Sequence, residues 1–440
     1  MKGVFMKKIT ILSALLALGM LNAATVQIRT TEFKNYKVGE NVTFSVTAKA
    51  DDGSLMKDGI FTVSVRDSGW DTTEICKPIE IDLAKKNPVE FTVKLDRPGF
   101  IFASPSAYKT ADGKYNKWKF HAAAPYDGGA AVEPEKIRQG DAMPADFAEF
   151  WQKSLNEYKN AKITVTEDPS VVRPDYKVSR VRVEFPDGSG FIDGFLSIPT
   201  AAGKYPAIVG VPGAGAGTVT PNVYVHSNKK AIELYMNVHP YPTMKTFPEM
   251  DKLYKEMNAK FSSKGYHREF AWDRDKYIYR KVWSALSRAV DYVAQLPQFD
   301  GKHFAAAGHS QGGGTALAMG YLNPNITCVA ASVPALCDHG GWKEERQAGW
   351  PRLHKNLNGR ADATAPYFDC ANFAAGLKVP TIISVGYVDR TCSPSSVYAA
   401  FNNIKYAKTK QIFPMFLNGH RASAQSIKAL AKFLDWHFNQ

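Results

Sequence analysis

The sequence predicts two layers of organisation: an α/β domain with a mostly parallel sheet and helices on both faces, preceded by an all-β sandwich. Three observations lead there. Apolar residues alternate with period two from Thr25 to His121, then give way to short continuous apolar runs separated by helical stretches. The 440 residues exceed one ordinary domain. A Gly-x-Ser-x-Gly pentapeptide, Gly308 to Gly312, sits between one apolar run and one helical stretch.

The chain opens with Lys2, Lys7 and Lys8, an apolar stretch from Ile9 to Leu21 and small residues around Ala23, which reads as a secretory signal peptide over residues 1–23. The apolar stretch falls short of the roughly 20 residues a membrane span needs, so no membrane span is expected. The mature protein is expected to be periplasmic or secreted. Residues 24–126 carry the alternation: Val26 and Ile28; Val42, Phe44 and Val46; Phe61, Val63 and Val65; Val89, Phe91, Val93 and Leu95. Short strands divided by turn signals such as DDGS and DRPG suggest an immunoglobulin-type sandwich. Trp70 and Trp118 could form a sugar-stacking face there, or fill the core as strand aromatics commonly do. Residues 127–142, rich in Gly, Ala and charge, read as a linker.

From residue 143 to 440 the pattern is strand and helix. Phe147, Phe150, Trp151, Leu155 and Tyr158 recur at helical spacing after Pro144. VSRVRVEF and FIDGFLSI flank PDGSG as a hairpin, and YPAIVGV, ELYMNV, KHFAAAG, TCVAASV, PTIISVG and KQIFPMF read as strands covered on both faces. Val282, Leu286, Ala289, Val290, Val293 and Leu296 mark a helix between two of them. Alternating strands and helices over this length make one α/β domain.

Ser310 falls directly after HFAAAG and directly before GGGTALAMGYL. A sharp strand-to-helix turn there would lift its hydroxyl above the sheet, the nucleophile elbow of α/β-hydrolases. A serine hydroxyl attacks only when a base takes its proton and a carboxylate orients that base. The order Ser, acid, His, each after a strand, is met by Asp389 after PTIISVG and His420 after KQIFPMF. Asp389 could instead be a loop acid before the Ser393-Pro394 helix start, and His420 a cap for the last helix. His437 lies inside that helix and reads as structural, while His309 is expected to point away from the elbow. The anionic intermediate also needs donors. The backbone N–H of Gln311 is one candidate, and that of Ala214, in the loop after YPAIVGV, is the other. GAGAG lacks the spacing of a phosphate loop.

The formal charge of +13 stays positive after loss of the signal, but basic and acidic residues alternate, and no basic face for nucleic acid stands out. Five cysteines, Cys76, Cys328, Cys337, Cys370 and Cys392, are too few and too scattered for a disulfide scaffold, although export would allow a bridge among the last four. No pair has C-x-x-C spacing, and no metal or other cofactor is called for.

YIYRKVWSALSRAVDYVAQLPQFDGKHFAAAGHSQGGG, ASVPALCD, YFDCANFA and SVGYVDRTCSPSSVYAAFN together resemble the acetyl xylan esterase and cephalosporin C deacetylase family, carbohydrate esterase family seven, over roughly residues 143 to 440. The resemblance implies a Ser/Asp/His deacetylase of small acetylated sugars, with Gln311 and Ala214 at the oxyanion. It also brings the expectation of a homo-oligomer, which the appended sandwich would obstruct. This chain has Pro212-Gly213-Ala214 where the family carries His-Gly-Tyr, Asn237-Val238-His239-Pro240 near its Arg-Gly-Gln motif, and Arg421 where it carries Glu. These changes spare the triad and remodel the pocket. The leading reading is an exported esterase acting on acetylated oligosaccharide or polysaccharide. A peptidase of the same fold class and a catalytically silent carbohydrate-binding protein are the alternatives.

Overall fold

A computed structural model describes residues 25–50, 52–69, 71–109, 115–116, 127–263 and 265–440. The signal-peptide expectation, Trp70 and Trp118 lie outside the described residues. Among those described, no helix is long and apolar enough to cross a membrane.

The N-terminal region is all β: β1 (Thr25–Thr30), β2 (Asn35–Tyr36), β3 (Val42–Lys49), β4 (Ile60–Asp67), β5 (Ile79–Asp82), β6 (Val89–Val93), β7 (Gly99–Lys109), β8 (Tyr115–Asn116) and β9 (Gly128–Val132). One sheet runs β1-β3-β6 and the other β2-β9-β7-β4-β5, with β8 on β7. The period-two pattern does what it predicts: Val42, Phe44, Val46 and Ala48 turn inward while the residues between them turn out. Phe44 stands opposite Phe91 with the rings stacked at 5.4 Å. Val26, Ile28, Phe44 and Val46 of the first sheet share a core with Phe61, Val63, Ile101 and Ala130 of the second.

The segment expected as a linker, residues 127–142, begins instead with a strand. Residues 128–132 are strand β9, fully buried, antiparallel to β7 and parallel to β2. Its small residues mark close packing rather than a loose connection. A Cβ on Gly128 would lie 2.8 Å from Ile28 Cγ2, and one on Gly129 2.4 Å from the Tyr387 carbonyl oxygen. The following turn is also fixed, because Asn402 Nδ2 donates to the Pro134 and Ile137 carbonyls at 2.8 Å, and Gly140 N to Asp338 Oδ1 at 2.7 Å.

The larger region holds β10 (Ile163–Glu167), β11 (Tyr176–Glu184), β12 (Phe191–Pro199), β13 (Tyr205–Gly210), β14 (Ile232–Met236), β15 (Phe299–His309), β16 (Cys328–Ser332), β17 (Thr381–Gly386) and β18 (Lys410–Met415). They form one nine-stranded sheet in the order β10-β11-β12-β14-β13-β15-β16-β17-β18. The sheet is antiparallel from β10 to β14 and parallel from there to β18. Its helices are α1 (Phe147–Tyr158), α2 (Phe247–Ala259), α3 (Ile278–Ala294), α4 (Gln311–Leu322), α5 (Leu353–Leu357), α6 (Cys370–Ala375), α7 (Pro394–Asn403) and α8 (Ala424–His437).

Successive residues of the central strands serve opposite cores, which is why those strands read as unbroken apolar runs. Ala306, Val329 and Ile383 face the core built with α1, α3 and α4, while Ala305, Cys328 and Ile382 face Leu430, Phe433 and Leu434 of α8. Edge strand β10 and helix α2 escaped the sequence reading. The first is a short exposed strand, and the second buries only Met250, although its capping box of Thr246 and Glu249 was a readable start signal. All five cysteines are free thiols.

Candidate active site

The sheet order delivers three side chains to one place, because β15, β17 and β18 run parallel and their C-terminal ends lie on the same edge. Ser310 occupies the turn from β15 into α4 with φ 57° and ψ −119°, a conformation that a non-glycine residue holds only when its surroundings enforce it. Those surroundings are tight. A Cβ on Gly308 would lie 2.4 Å from the carbonyl carbon of Gly312, and one on Gly312 2.2 Å from the Val211 carbonyl oxygen. Ser310 N donates to the Ser332 carbonyl at 2.9 Å, and its own carbonyl accepts from Ala335 N at 2.9 Å.

His420 lies between the other two groups. The Ser310 hydroxyl donates to His420 Nε2 at 2.8 Å, and Nδ1–H donates to Asp389 Oδ2 at 2.8 Å. Asp389 is buried, and its second oxygen accepts from the backbone N–H groups of Thr391 at 2.7 Å and Cys392 at 2.9 Å. Both carboxylate oxygens are therefore engaged and Oδ2 faces the imidazole, which fixes the tautomer with Nε2 free to accept. The structure thus brings Ser310, Asp389 and His420 together.

Gln311 begins α4, so its N–H belongs to the unpaired first turn of the helix. Its side chain is completely buried: Oε1 accepts from the hydroxyls of Tyr266 at 2.5 Å and Tyr279 at 2.7 Å, and Nε2 donates to the Pro212 carbonyl at 3.3 Å. That last bond ties the loop after β13 to the elbow. A Cβ on Gly213 would touch Ser310 Cβ at 3.8 Å, and Ala214, the next residue, is exposed. The loop is gripped beyond this point too. His239 Nε2 donates to the Gly215 carbonyl at 2.6 Å, and Asn237 Oδ1 accepts from Thr218 N at 2.7 Å. Burial holds the His239 imidazole down to about 4, so the ring stays neutral.

His309 does not approach the Ser310 hydroxyl, but it is closer to the site than expected. Its ring lies between Tyr224 at 4.7 Å and His420 at 5.2 Å, and Nδ1 pairs with the Ser332 hydroxyl at 3.3 Å. Burial, then the neighbouring His420, lowers it to about 4. His437 is structural, as expected, with Nε2 on the Thr327 hydroxyl at 2.8 Å. Arg421 is exposed. No local pattern marks His309, Tyr224, Tyr266 or Tyr279 for these places.

Among the described residues one group has ligand atoms close enough together for a metal ion: Asp389, Cys392 and His420, within 4.8 Å of one another. The carboxylate and imidazole already satisfy each other, and burial followed by the charge of Asp389 pushes the Cys392 thiol up and keeps it protonated. Two ligands that already bond each other and a thiol that stays protonated make a poor cation cage.

Residues 133–437 match the family model described as acetyl xylan esterase (AXE1). The chain belongs to the acetyl xylan esterase family. As a member of it, the protein is a carboxylic-ester hydrolase. It is 30% identical over 343 residues to the acetyl esterase Axe7A of Xylanibacter ruminicola, covering 76% of this chain and 73% of that one. Two solved structures share its fold. Acetyl xylan esterase 1 from a Thermoanaerobacterium species matches with a TM-score of 0.53 and 19% identity, over 70% of this chain and 98% of that one. An acetyl xylan esterase from a Paenibacillus species matches with a TM-score of 0.55 and 21% identity, over 69% and 98%.

Proposed function

We propose that this member of the acetyl xylan esterase family is an exported enzyme that removes acetyl groups from xylan-derived or related sugars through an acyl-enzyme on Ser310. The single observation that carries the mechanism is His420, hydrogen bonded at 2.8 Å to Ser310 on one ring nitrogen and at 2.8 Å to Asp389 on the other. Ser310 Oγ attacks the acetyl carbonyl carbon as its proton passes to His420 Nε2. Asp389 stabilises the imidazolium. The carbonyl oxygen, now anionic, is held by the N–H groups of Gln311 and Ala214, a contribution of about 3–4 kcal/mol per donor in comparable sites. Collapse breaks the ester bond, and the sugar oxygen leaves with the proton from His420. Water then repeats the sequence on the acyl-serine and releases acetate.

Acetylated sugar as substrate is supported by the family and by the names of its relatives. Export rests on residues 1–23, and an immunoglobulin-type assignment for the N-terminal sandwich on its two facing sheets. The test is release of acetate from acetylated xylo-oligosaccharides and of p-nitrophenol from p-nitrophenyl acetate by wild type and Ser310→Ala. The substitution should lower kcat by about a million-fold. Equal rates would sink the assignment of Ser310, and peptide hydrolysis faster than acetyl release would sink the substrate class.

A further inference from the structure

The loop that carries Asp389 leaves β17 and enters α7, and on its outer side it meets the N-terminal sandwich rather than solvent. Arg390, the residue after the acid, reaches into the sandwich with a two-pronged grip on Asp127, Nε to Oδ2 at 2.7 Å and Nη2 to Oδ1 at 2.6 Å, with Ser104 Oγ at 3.2 Å from Nη2. Ser104 in turn donates to Asp127 Oδ1 at 2.7 Å, and both Ser104 and Asp127 are buried. The Arg390 carbonyl is fixed as well, accepting from Gln347 Nε2 at 3.0 Å and Arg352 Nη2 at 2.5 Å.

Further along, the hydroxyls of Ser393 and Ser395 donate to the Ser68 carbonyl at 3.4 and 3.3 Å. Before the acid, Tyr387 donates its hydroxyl proton to Asn35 Oδ1 at 2.8 Å, and its ring meets Phe100 edge-on at 5.1 Å. Gly129 of β9 lies so close to the Tyr387 carbonyl that no side chain fits between them. Contacts from β2, from the end of β4, from β7 and from β9 thus converge on both flanks of Asp389. A carboxylate that must face Nδ1 of an imidazole tolerates about 0.5 Å of error.

We infer that the N-terminal sandwich is part of the catalytic apparatus, and that Asp127 is a positioning residue which, through Arg390, holds the Asp389 loop against His420. The inference rests on Asp389 being the triad acid. It gives the sandwich a role that requires no carbohydrate binding.

The experiment is Asp127→Asn in the full chain, assayed on p-nitrophenyl acetate across pH, with active sites counted by organophosphate titration. The amide keeps the size of the carboxylate but loses the charge and one acceptor for the Arg390 fork. Per active site, kcat should fall about 10- to 100-fold with KM nearly unchanged. The acid limb of kcat/KM should also move down in pH, because a carboxylate that drifts from Nδ1 no longer favours the imidazolium. Arg390→Lys should retain more activity than Arg390→Ala.

Wild-type kcat and pH profile in folded Asp127→Asn would overturn the inference. So would a loss accounted for entirely by fewer active sites, since that is the mark of a merely structural contact. Should Asp127→Asn fail to fold, Ser104→Ala removes only the smaller hydrogen bonds. It is then expected to move the pH profile in the same direction, and no movement overturns the inference. Asp389→Asn separates the two readings: loss there with wild-type behaviour in Asp127→Asn rejects the brace alone, whereas activity retained there rejects the acid itself.

Discussion

Replacing Asp389 with Asn tests how the acid works, because the surrounding bonds dictate how the amide must sit. Asp389 Oδ1 accepts two backbone N–H groups, from Thr391 and Cys392, and Oδ2 accepts one, from His420. An asparagine keeps the two backbone bonds only by leaving its oxygen there, which turns its NH₂ toward His420. Nδ1 must then accept, the ring proton moves to Nε2, and Nε2 can no longer take the proton of Ser310. The chain folds and binds ester as before while kcat falls about 10⁴-fold, which at about 1.36 kcal/mol per decade is about 5.4 kcal/mol of barrier. Steady-state hydrolysis of p-nitrophenyl acetate at neutral pH reads this directly, with thermal melting as the check on folding. A folded variant within tenfold of wild-type kcat would refute the tautomer argument.

Three further outcomes follow from the same geometry. Gly312→Ala places a methyl group 2.2 Å from the Val211 carbonyl oxygen, so the melting temperature should drop by the equivalent of about 1–3 kcal/mol or more, and an unchanged melting curve would contradict the close approach. Tyr279→Phe leaves Gln311 Oε1 with Tyr266 as its donor, a loss of about 1 kcal/mol in stability by denaturant titration, and the double change with Tyr266→Phe should cost more than the sum of the two because it strands a buried acceptor. His239 titrates near 4 in the folded chain against an ordinary 6.5, so the unfolded state takes up the proton first. Its contribution to stability is complete above 6.5 and is lost as pH falls from there through 4, and His239→Gln should flatten that part of the melting-temperature profile.

What could be read from the sequence was what local pattern controls. The elbow needs small residues on either side of one serine, and the acid and base need only follow the right strands. That Ser310, Asp389 and His420 lie together at one edge of the sheet was therefore legible in the sequence. Doubly buried strands such as β16 and β17 declare themselves by unbroken apolar character. Residues 128–132 misled because Gly and Ala serve equally for a loose connection and for a strand squeezed between a core and Tyr387. The tilted contact of His309 with His420, the paired tyrosines on Gln311 and the Asp127–Arg390 grip join residues far apart in the chain, and no local signal announces them. Helix α2 had a legible cap but little apolar face, since its buried side packs on the loops after β13 and β14.

Quenching the enzyme during turnover of p-nitrophenyl acetate and mapping the modified peptide by mass spectrometry reads the acyl-enzyme itself. One acetyl group is expected on Ser310, absent in Ser310→Ala and turning over at the rate of the steady state. Acetyl found on another side chain, or full activity in a protein whose Ser310 is never acylated, would contradict it.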